Sequence, residues 1–303
     1  MSPDKVRVEV GGRQLTLTNL DKVLYPKVGF TKGEVIDYYS RVAGTLLPHI
    51  ADRPSTRKRW PNGVDGPFFF EKNAPRGTPD WVRTVTLPVP GSTKQRETVD
   101  FVVVDDLPTL VWTANLAALE LHTPQWQVGP RGGVRDPDLL VIDLDPGPPA
   151  GLAECMQAAC LVRDRLAQDG LTAYPKTSGN KGMQLCVPIS ATQSSPVVSD
   201  YAHRIAEELE EAHPDQMVSR MTKVLRPGKV FLDWSQNNAA KTTVAPYSLR
   251  GRAEPTVSTP LTWDEVQAGK PLWFWPEDVL ARISEHGDLL GPLLERGPKV
   301  PTG

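Results

Sequence analysis

The chain has 303 residues, 39% hydrophobic and 23% charged, the balance of a globular protein rather than a disordered one. A formal net charge of −2 excludes the whole-chain basic balance that by itself signals a polyanion partner. No apolar run reaches the ~20 residues that a membrane-spanning helix needs, and the opening "MSPDKVRVEVGG" has no basic-then-apolar signal segment. Cys155, Cys160 and Cys186 are too few, and too apolar in context, for a disulfide framework or a zinc site, so a reducing cytoplasm is the expected setting.

Along the chain, "VEVGGRQLTLTN" reads as a hairpin around Gly11-Gly12. "TKGEVIDYYSRVAGTLLPHI" reads as a helix: Thr31 and Glu34 form a capping box, and Val35, Tyr38, Tyr39, Val42, Leu46 and Leu47 recur at helical spacing. The Pro- and Gly-bearing stretch from Lys72 to Arg96 is expected to be a loop between two lobes of one domain, about residues 1–95 and 96–303. Thr98–Val104 reads as a strand and Leu107–Leu121 as a helix with Leu110, Val111, Ala114, Ala117, Ala118 and Leu121 on one side. Leu139–Leu144 is a buried strand, Gly151–Gln168 an amphipathic helix, and "LTAYPK" and "MQLCVPI" are strands around the loop "TSGNKG". A charged helix from Ser199 to Ala212, a strand "KVFLDW", and short helices near Trp263 and from Pro276 to Glu285 complete the chain. Strands and helices mix without strict βαβ alternation, which indicates an α+β class.

Charge is local. "STRKRWPNG", "MTKVLRPGK" and "KTTVAPYSLRGR" each hold three cations and no acid. Taken singly, each is a solvated basic loop; together they are a footprint for a polyanion. Acids are placed as pointedly. In "LLVIDLDPGPP", Asp143 and Asp145 are two apart on a strand, so both carboxylates fall on one face. Alone, the pair fits a strand ending in a solvated turn as well as a hard-oxygen site for Mg²⁺ or Mn²⁺. Asp233 in "KVFLDWSQN" ends a second apolar strand; beside the first, it completes a three-carboxylate set able to hold two ions for phosphoryl displacement. The loop Thr177–Gly182 offers backbone N–H groups as an anion nest, with Ser178 and Lys181 as phosphate donors, although alone it is an ordinary hairpin turn and its spacing is not that of a Walker loop.

The ordered set "TNLDKVLYP", "TRKRWPNGV", "FFFEK", "ELHTPQW", "IDLDPG", "TSGNKG", "TKVLRPGKVFLDWSQN" and "KTTVAPYSLRGR" resembles the archaeo-eukaryotic primase superfamily. The closer likeness is to the polymerase domain of bacterial end-joining ligase D and its standalone primase-polymerase relatives. The resemblance implies an α+β catalytic core with an RRM-like palm, mixed and antiparallel sheets flanked by helices. It implies template-directed nucleotidyl transfer with Mn²⁺ or Mg²⁺ at Asp143, Asp145 and Asp233, and preference for ribonucleotides. Ser178, Lys181 and Arg250 match triphosphate-holding positions, and His122 a histidine near the nucleotide. Lys22 and Lys32 match lysines that recognise a 5′-phosphate at a gap or break. Lys58 and Arg59 match basic residues of the nucleic-acid and nucleotide surface, Phe69 and Phe70 aromatics that stack on template bases, and Arg226 a residue that places the primer end. For Phe68–Phe70 the competing expectation is a buried strand hiding two rings of three; for His122 it is burial among Leu119, Leu121 and Trp126.

One position departs from the pattern: where the family has Lys-Gly-x-His, this chain has Lys181-Gly182-Met183-Gln184. Gln184 can donate to phosphate but carries no charge. The lack of a ligase or phosphoesterase motif leaves either an isolated polymerase domain or a free-standing relative; the Met1 start and the departure at Gln184 point to the latter, a gap filler in excision repair or a damage-tolerant polymerase rather than a dedicated end joiner. Expected partners are gapped or broken DNA bearing a 5′-phosphate, nucleoside triphosphates, and a repair ligase or end-binding protein. Two rivals are a non-catalytic end-binding module and a metal-dependent nuclease; the intact acid triad speaks against the first and the triphosphate-matching residues against the second.

Overall fold

The computed structural model describes residues 4–89 and 97–302. Its strands are β1 (Lys5–Val10), β2 (Arg13–Thr18), β3 (Val23–Tyr25), β4 (Phe30–Thr31), β5 (Pro54–Arg59), β6 (Phe69–Glu71), β7 (Thr84–Pro88), β8 (Thr98–Val103), β9 (Ala118–Thr123), β10 (Leu139–Pro146), β11 (Tyr174–Thr177), β12 (Met183–Pro188), β13 (Met217–Val218), β14 (Val230–Asp233) and β15 (Thr243–Val244). Helices are α1 (Lys32–Ile50), α2 (Leu107–Asn115), α3 (Leu152–Gln168), α4 (Ser195–Ala212), α5 (Trp263–Ala268) and α6 (Pro276–His286).

The hairpin forms as expected, with Val10 opposite Arg13 and both glycines at positive φ. Helix α1 starts at the expected box: the Thr31 hydroxyl accepts from the Glu34 N–H at 3.3 Å, and the Glu34 carboxylate accepts from the Thr31 N–H at 2.6 Å. Its apolar stripe packs with α2 on a sheet ordered β15-β9-β5-β8-β7, with β6 also paired to β5.

Four expectations need correction. Leu107–Leu121 is not one helix: α2 ends at Asn115, Ala117 takes a left-handed φ of 57°, and β9 follows. Pairing with β5 and β15 satisfies the backbone of β9 and buries Leu119 and Leu121, which outweighs local helix propensity. The basic run at Ser55–Gly63 is largely strand β5, and Arg57 is fully buried against Glu71 at 3.2 Å. Strand β7 lies within the stretch expected as a loop and pairs with β8, so a boundary near residue 95 falls inside one sheet; residues 90–96 of that stretch lie outside the described residues. Helix α4 begins at Ser195, four residues early, because Pro196 fits its first turn.

The second sheet runs β11-β12-β10-β14-β13, antiparallel except for the β13–β14 pair. The sequence β10-α3-β11-β12-α4-β14 places its strands in the order second, third, first, fourth, the split βαβ arrangement of an RRM-like palm. Leu140, Ile142 and Leu144, Met183, Leu185 and Val187, and Val230 and Leu232 all pack in the core that α3 and α4 share. Period-2 alternation therefore sends the intervening residues to the other face. Residues 243–261 tie the sheets together: β15 pairs with β9, and Pro260 bridges Lys176 of β11. Among the described residues no helix is long and apolar enough to cross a membrane.

Candidate active site

Register decides the acid cluster. Asp143 lies directly opposite Asp233, and Asp145 follows on the same face of β10. Carboxylate oxygens of all three lie within 4.8 Å of one another. Asp143 and Asp233 are nearly buried, at 9% and 8% exposure, whereas Asp145 is exposed. Burial, then Asp145 and Asp233, pushes the Asp143 carboxyl well above the usual range; burial and Asp233 push Asp145 the same way. Asp233 is aimed by its neighbours: one oxygen accepts from the Ser235 N–H at 3.1 Å and hydroxyl at 2.5 Å, the other from the Gln236 amide at 2.8 Å. Like charges opposed across a strand pair repel, and a divalent cation is the hard-acid partner that three carboxylates fit. The predicted convergence of Asp143, Asp145 and Asp233 is thus present.

The row extends in register across β12 and β11: Asp143 faces Gln184, and Gln184 faces Lys176. The Gln184 side chain, directly across from Asp143, pulls the Asp143 pKa down against the burial that raises it, and the buried Gln184 Oε1 has no hydrogen-bond partner. Lys176 is fully buried, its ammonium donating to the Val244 carbonyl at 3.1 Å and the Ser258 hydroxyl at 2.7 Å, and burial lowers its pKa to about 8. The sequence alone does not mark it, because an isolated lysine on a short apolar strand reads as a solvent-facing residue.

The Thr177–Gly182 loop sits beside the acids because it joins β11 to β12. Gly179, at φ 67°, lies so close to Val257 and Arg250 that a Cβ there would stand 2.7 Å from the Arg250 side chain. A Cβ at Gly182 would stand 2.0 Å from the Leu144 carbonyl oxygen. Glycine is required at both for the loop to press onto β10 and the Arg250 segment. Arg250 donates to the Ser178 carbonyl at 2.9 Å, and Lys181 is exposed. Ser178, Lys181 and Arg250 therefore share one rim next to the acids.

A third group gathers around β9. Buried Glu120 accepts from His122 Nε2 at 2.8 Å and lies 3.4 Å from Arg250 Nε and 3.7 Å from Lys58 Nζ. Burial lowers the pKa of both Lys58 and His122. Glu120 is not legible from the sequence, because helical spacing over Leu107–Leu121 puts its side chain on a different face.

Phe68, Phe69 and Phe70 are 51%, 43% and 53% exposed, so none of the three rings is hidden. Strand β6 is three residues long and, among the described residues, pairs with β5 alone; its successive rings Phe69 and Phe70, which alternation sends to opposite faces, are both exposed. The Lys58 ammonium lies 4.1 Å from the Phe68 ring centroid, and Arg59 stacks 5.2 Å from Phe69. Phe70 meets His122 edge-on at 6.2 Å, so the aromatic wall runs up to the Glu120 cluster. The Arg59 guanidinium is held by Glu71 at 2.8 Å and the Leu116 carbonyl at 2.8 Å.

Lys22 and Lys32 are adjoining, Lys32 N–H donating to the Lys22 carbonyl at 2.8 Å. Lys32 is 5% exposed and donates to the Thr18 carbonyl at 2.5 Å; burial, Lys22 and Arg59 lower its pKa to about 8. A buried cation with like charges beside it is relieved by an anion. Arg226 stacks 3.6 Å over Phe231, the residue opposite Asp145, and so stands at the acid face.

The family profile described as the primase-polymerase domain of LigD matches residues 31–290. The chain belongs to the LigD primase-polymerase domain family. It is 47% identical over 283 residues to the multifunctional non-homologous end joining DNA repair protein LigD of Mycobacterium tuberculosis. That match covers 92% of this chain and 37% of the relative, so the chain spans little more than a third of the relative's length. The bifunctional LigD of Bacillus subtilis is 35% identical over 276 residues, with 90% of this chain and 43% of the relative covered. Among solved structures, the polymerase domain of Mycobacterium tuberculosis ligase D in complex with DNA matches with a TM-score of 0.87 and 46% identity, over 92% of this chain and 98% of that one. The α+β fold expected from the motifs is thus the fold of the LigD polymerase domain, and membership of that family implies use of a divalent metal ion.

Proposed function

We propose that the chain is a template-directed primase-polymerase that adds nucleotides across short gaps at DNA breaks. The observation that carries this is the in-register meeting of Asp143, Asp145 and Asp233 beside the Ser178, Lys181 and Arg250 rim. Asp143, Asp145 and Asp233 would hold Mn²⁺ or Mg²⁺, two ions in all, and the bound ions would supply charge neutralisation at the attacking and leaving oxygens. Ser178, Lys181 and Arg250 hold the triphosphate and offset the charge that grows on pyrophosphate; a guanidinium suits that role because it presents parallel donors. Lys58 and His122 line the nucleotide side, Gln184 borders it through Asp143, and Arg226 places the primer end near Asp145. Phe69 and Phe70 stack on template bases, Arg59 backs Phe69, and Lys22 with Lys32 meets a 5′-phosphate whose extra charge marks a strand end. The end-joining relatives favour break repair over excision repair as the setting, in the bacterial cytoplasm at the nucleoid. A ligase activity or an end-binding protein is the natural partner, since a filled gap still has to be sealed.

The test is primer extension on gaps of one to a few nucleotides with Mn²⁺, with and without a 5′-phosphate, supplying ribo- and deoxyribonucleotides separately. Extension stimulated by the phosphate is expected. DNA binding without any extension identifies an end-binding module instead, and strand degradation identifies a nuclease.

Phe69→Ala and Phe70→Ala should each weaken binding to gapped DNA by about tenfold, since stacking contributes about 1–3 kcal/mol per base. Because the rings are exposed, thermal stability should hold, and fluorescence anisotropy beside a melting curve checks both. Gln184→His should lower the nucleotide KM by about fivefold, the usual gain of about 1 kcal/mol when a neutral donor becomes a charge-assisted one. An unchanged KM places position 184 out of reach of the phosphates.

A further inference from the structure

We propose that Glu120 is the positioning residue of the nucleotide pocket: its buried carboxylate draws Lys58, His122 and Arg250 to one point and fixes His122 as the Nε2–H tautomer. This rests on reading those three side chains as groups that meet the incoming nucleotide.

The geometry has three parts. First, Glu120 stands on β9 between Leu119 and Leu121, whose side chains enter the core, so alternation turns it and His122 to the same face. Strand β9 is itself anchored, since the Tyr39 hydroxyl of α1 donates to the Leu119 carbonyl at 2.7 Å. Second, the carboxylate gathers groups from separate parts of the chain. Oε2 meets His122 Nε2 at 2.8 Å; Oε1 accepts from the Gly251 N–H at 3.0 Å and lies 3.4 Å from Arg250 Nε and 3.7 Å from Lys58 Nζ. Lys58 comes from β5, and Arg250 and Gly251 from the segment that ties the two sheets. Third, the charges depend on one another. Burial alone would push the Glu120 carboxyl up, yet His122, Arg250 and Lys58 hold it at about 2. Lys58 and Arg250 repel each other, and the anion between them offsets that repulsion.

A carboxylate with so low a pKa only accepts hydrogen bonds, so His122 Nε2 must be the donor. Burial lowers the His122 pKa, which favours the neutral ring, and its remaining nitrogen, Nδ1, is then an acceptor. That atom suits a hydroxyl or amino donor of the nucleotide rather than a phosphate oxygen. Phosphate is left to Ser178, Lys181 and Arg250, and Glu120 keeps Arg250 facing that rim.

Glu120→Gln keeps the shape and removes the charge. On a one-nucleotide gap with Mn²⁺, using CTP opposite guanine, the KM for CTP should rise at least about tenfold while kcat changes by less than about threefold, the signature of lost ground-state positioning. The Kd for gapped DNA, whose 5′-phosphate would meet Lys22 and Lys32 instead, should not change. An unchanged KM overturns the proposal. So does a proportionate loss of kcat, nucleotide affinity and DNA affinity, which marks a merely structural role. Nitrogen-15 NMR of the unmodified protein gives a reading independent of how the variant folds: an Nε2–H tautomer of His122 at pH 7.5 is expected, and an Nδ1–H or cationic ring overturns the assignment. If the unmodified protein extends no primer, the polymerase reading fails while the tautomer still judges Glu120; if it extends normally and the variant matches it, only the role of Glu120 fails.

Discussion

Asp143→Ala, Asp145→Ala and Asp233→Ala each abolish primer extension, with a fall of at least about 10³-fold, while the Kd for gapped DNA stays within about threefold. The size follows from the several kcal/mol of charge stabilisation that metal-ion catalysis supplies, at 1.36 kcal/mol per tenfold in rate. Separation of chemistry from binding follows from geometry. The acids lie on the open face of the palm, whereas Phe69 and Phe70 are carried by β6, Lys22 by the turn before β3 and Lys32 by the first turn of α1. Removing a carboxylate from a surface meant for DNA does not weaken electrostatic attraction to phosphates. Asp145→Ala is the cleanest of the three, since Asp145 is exposed, whereas Asp233 also accepts bonds from Ser235 and Gln236. Robust extension in the Asp145 and Asp143 variants would remove the acids from the chemistry altogether.

Without divalent cations at neutral pH, Asp143→Asn melts higher than the parent, by about 4 °C for about 2 kcal/mol in a chain of this size. Burial, Asp145 and Asp233 raise the Asp143 pKa in the folded state above its unfolded value. Below the ordinary carboxylate pKa both states are protonated and Asp143 costs nothing. As pH rises from there toward neutrality, the unfolded chain releases the proton and the folded chain keeps it. The folded state then binds more protons, so stability falls with rising pH. The advantage of Asp143→Asn should therefore be small near pH 4 and grow toward pH 7. Mn²⁺ or Mg²⁺ reverses the order: bound only by the folded parent, the ion stabilises it by mass action, and more so at pH 7.5 than at pH 5.5, where protons compete. Melting curves of both proteins at the two pH values, with and without the ion, check the sign. An Asn variant that is no more stable than the metal-free parent at neutral pH would show that the acids do not strain one another.

By itself the sequence determined the elements whose signals are local. The capping box at Thr31 and Glu34, the hairpin at Gly11-Gly12, and the period-2 runs ending at Asp145 and Asp233 reappear in place, because each is set by neighbours a few residues away. It also placed both Asp143 and Asp145 on one face, which alternation alone requires. Only the tertiary structure decided the pairings. Whether Asp233 meets Asp143 depends on the β10–β14 register, fixed by Leu144 and Leu232 packing beneath α3 and α4. Whether Ala118–Thr123 is helix or strand depends on hydrogen bonds from β5 and β15, residues more than fifty positions away on either side. That strand is what turns Glu120 toward Lys58, His122 and Arg250, and edge pairing of β6 is what leaves Phe69 and Phe70 open. Side-chain period is a property of the local chain, but the partner across a sheet is chosen by burial summed over the whole core, which no single stretch encodes.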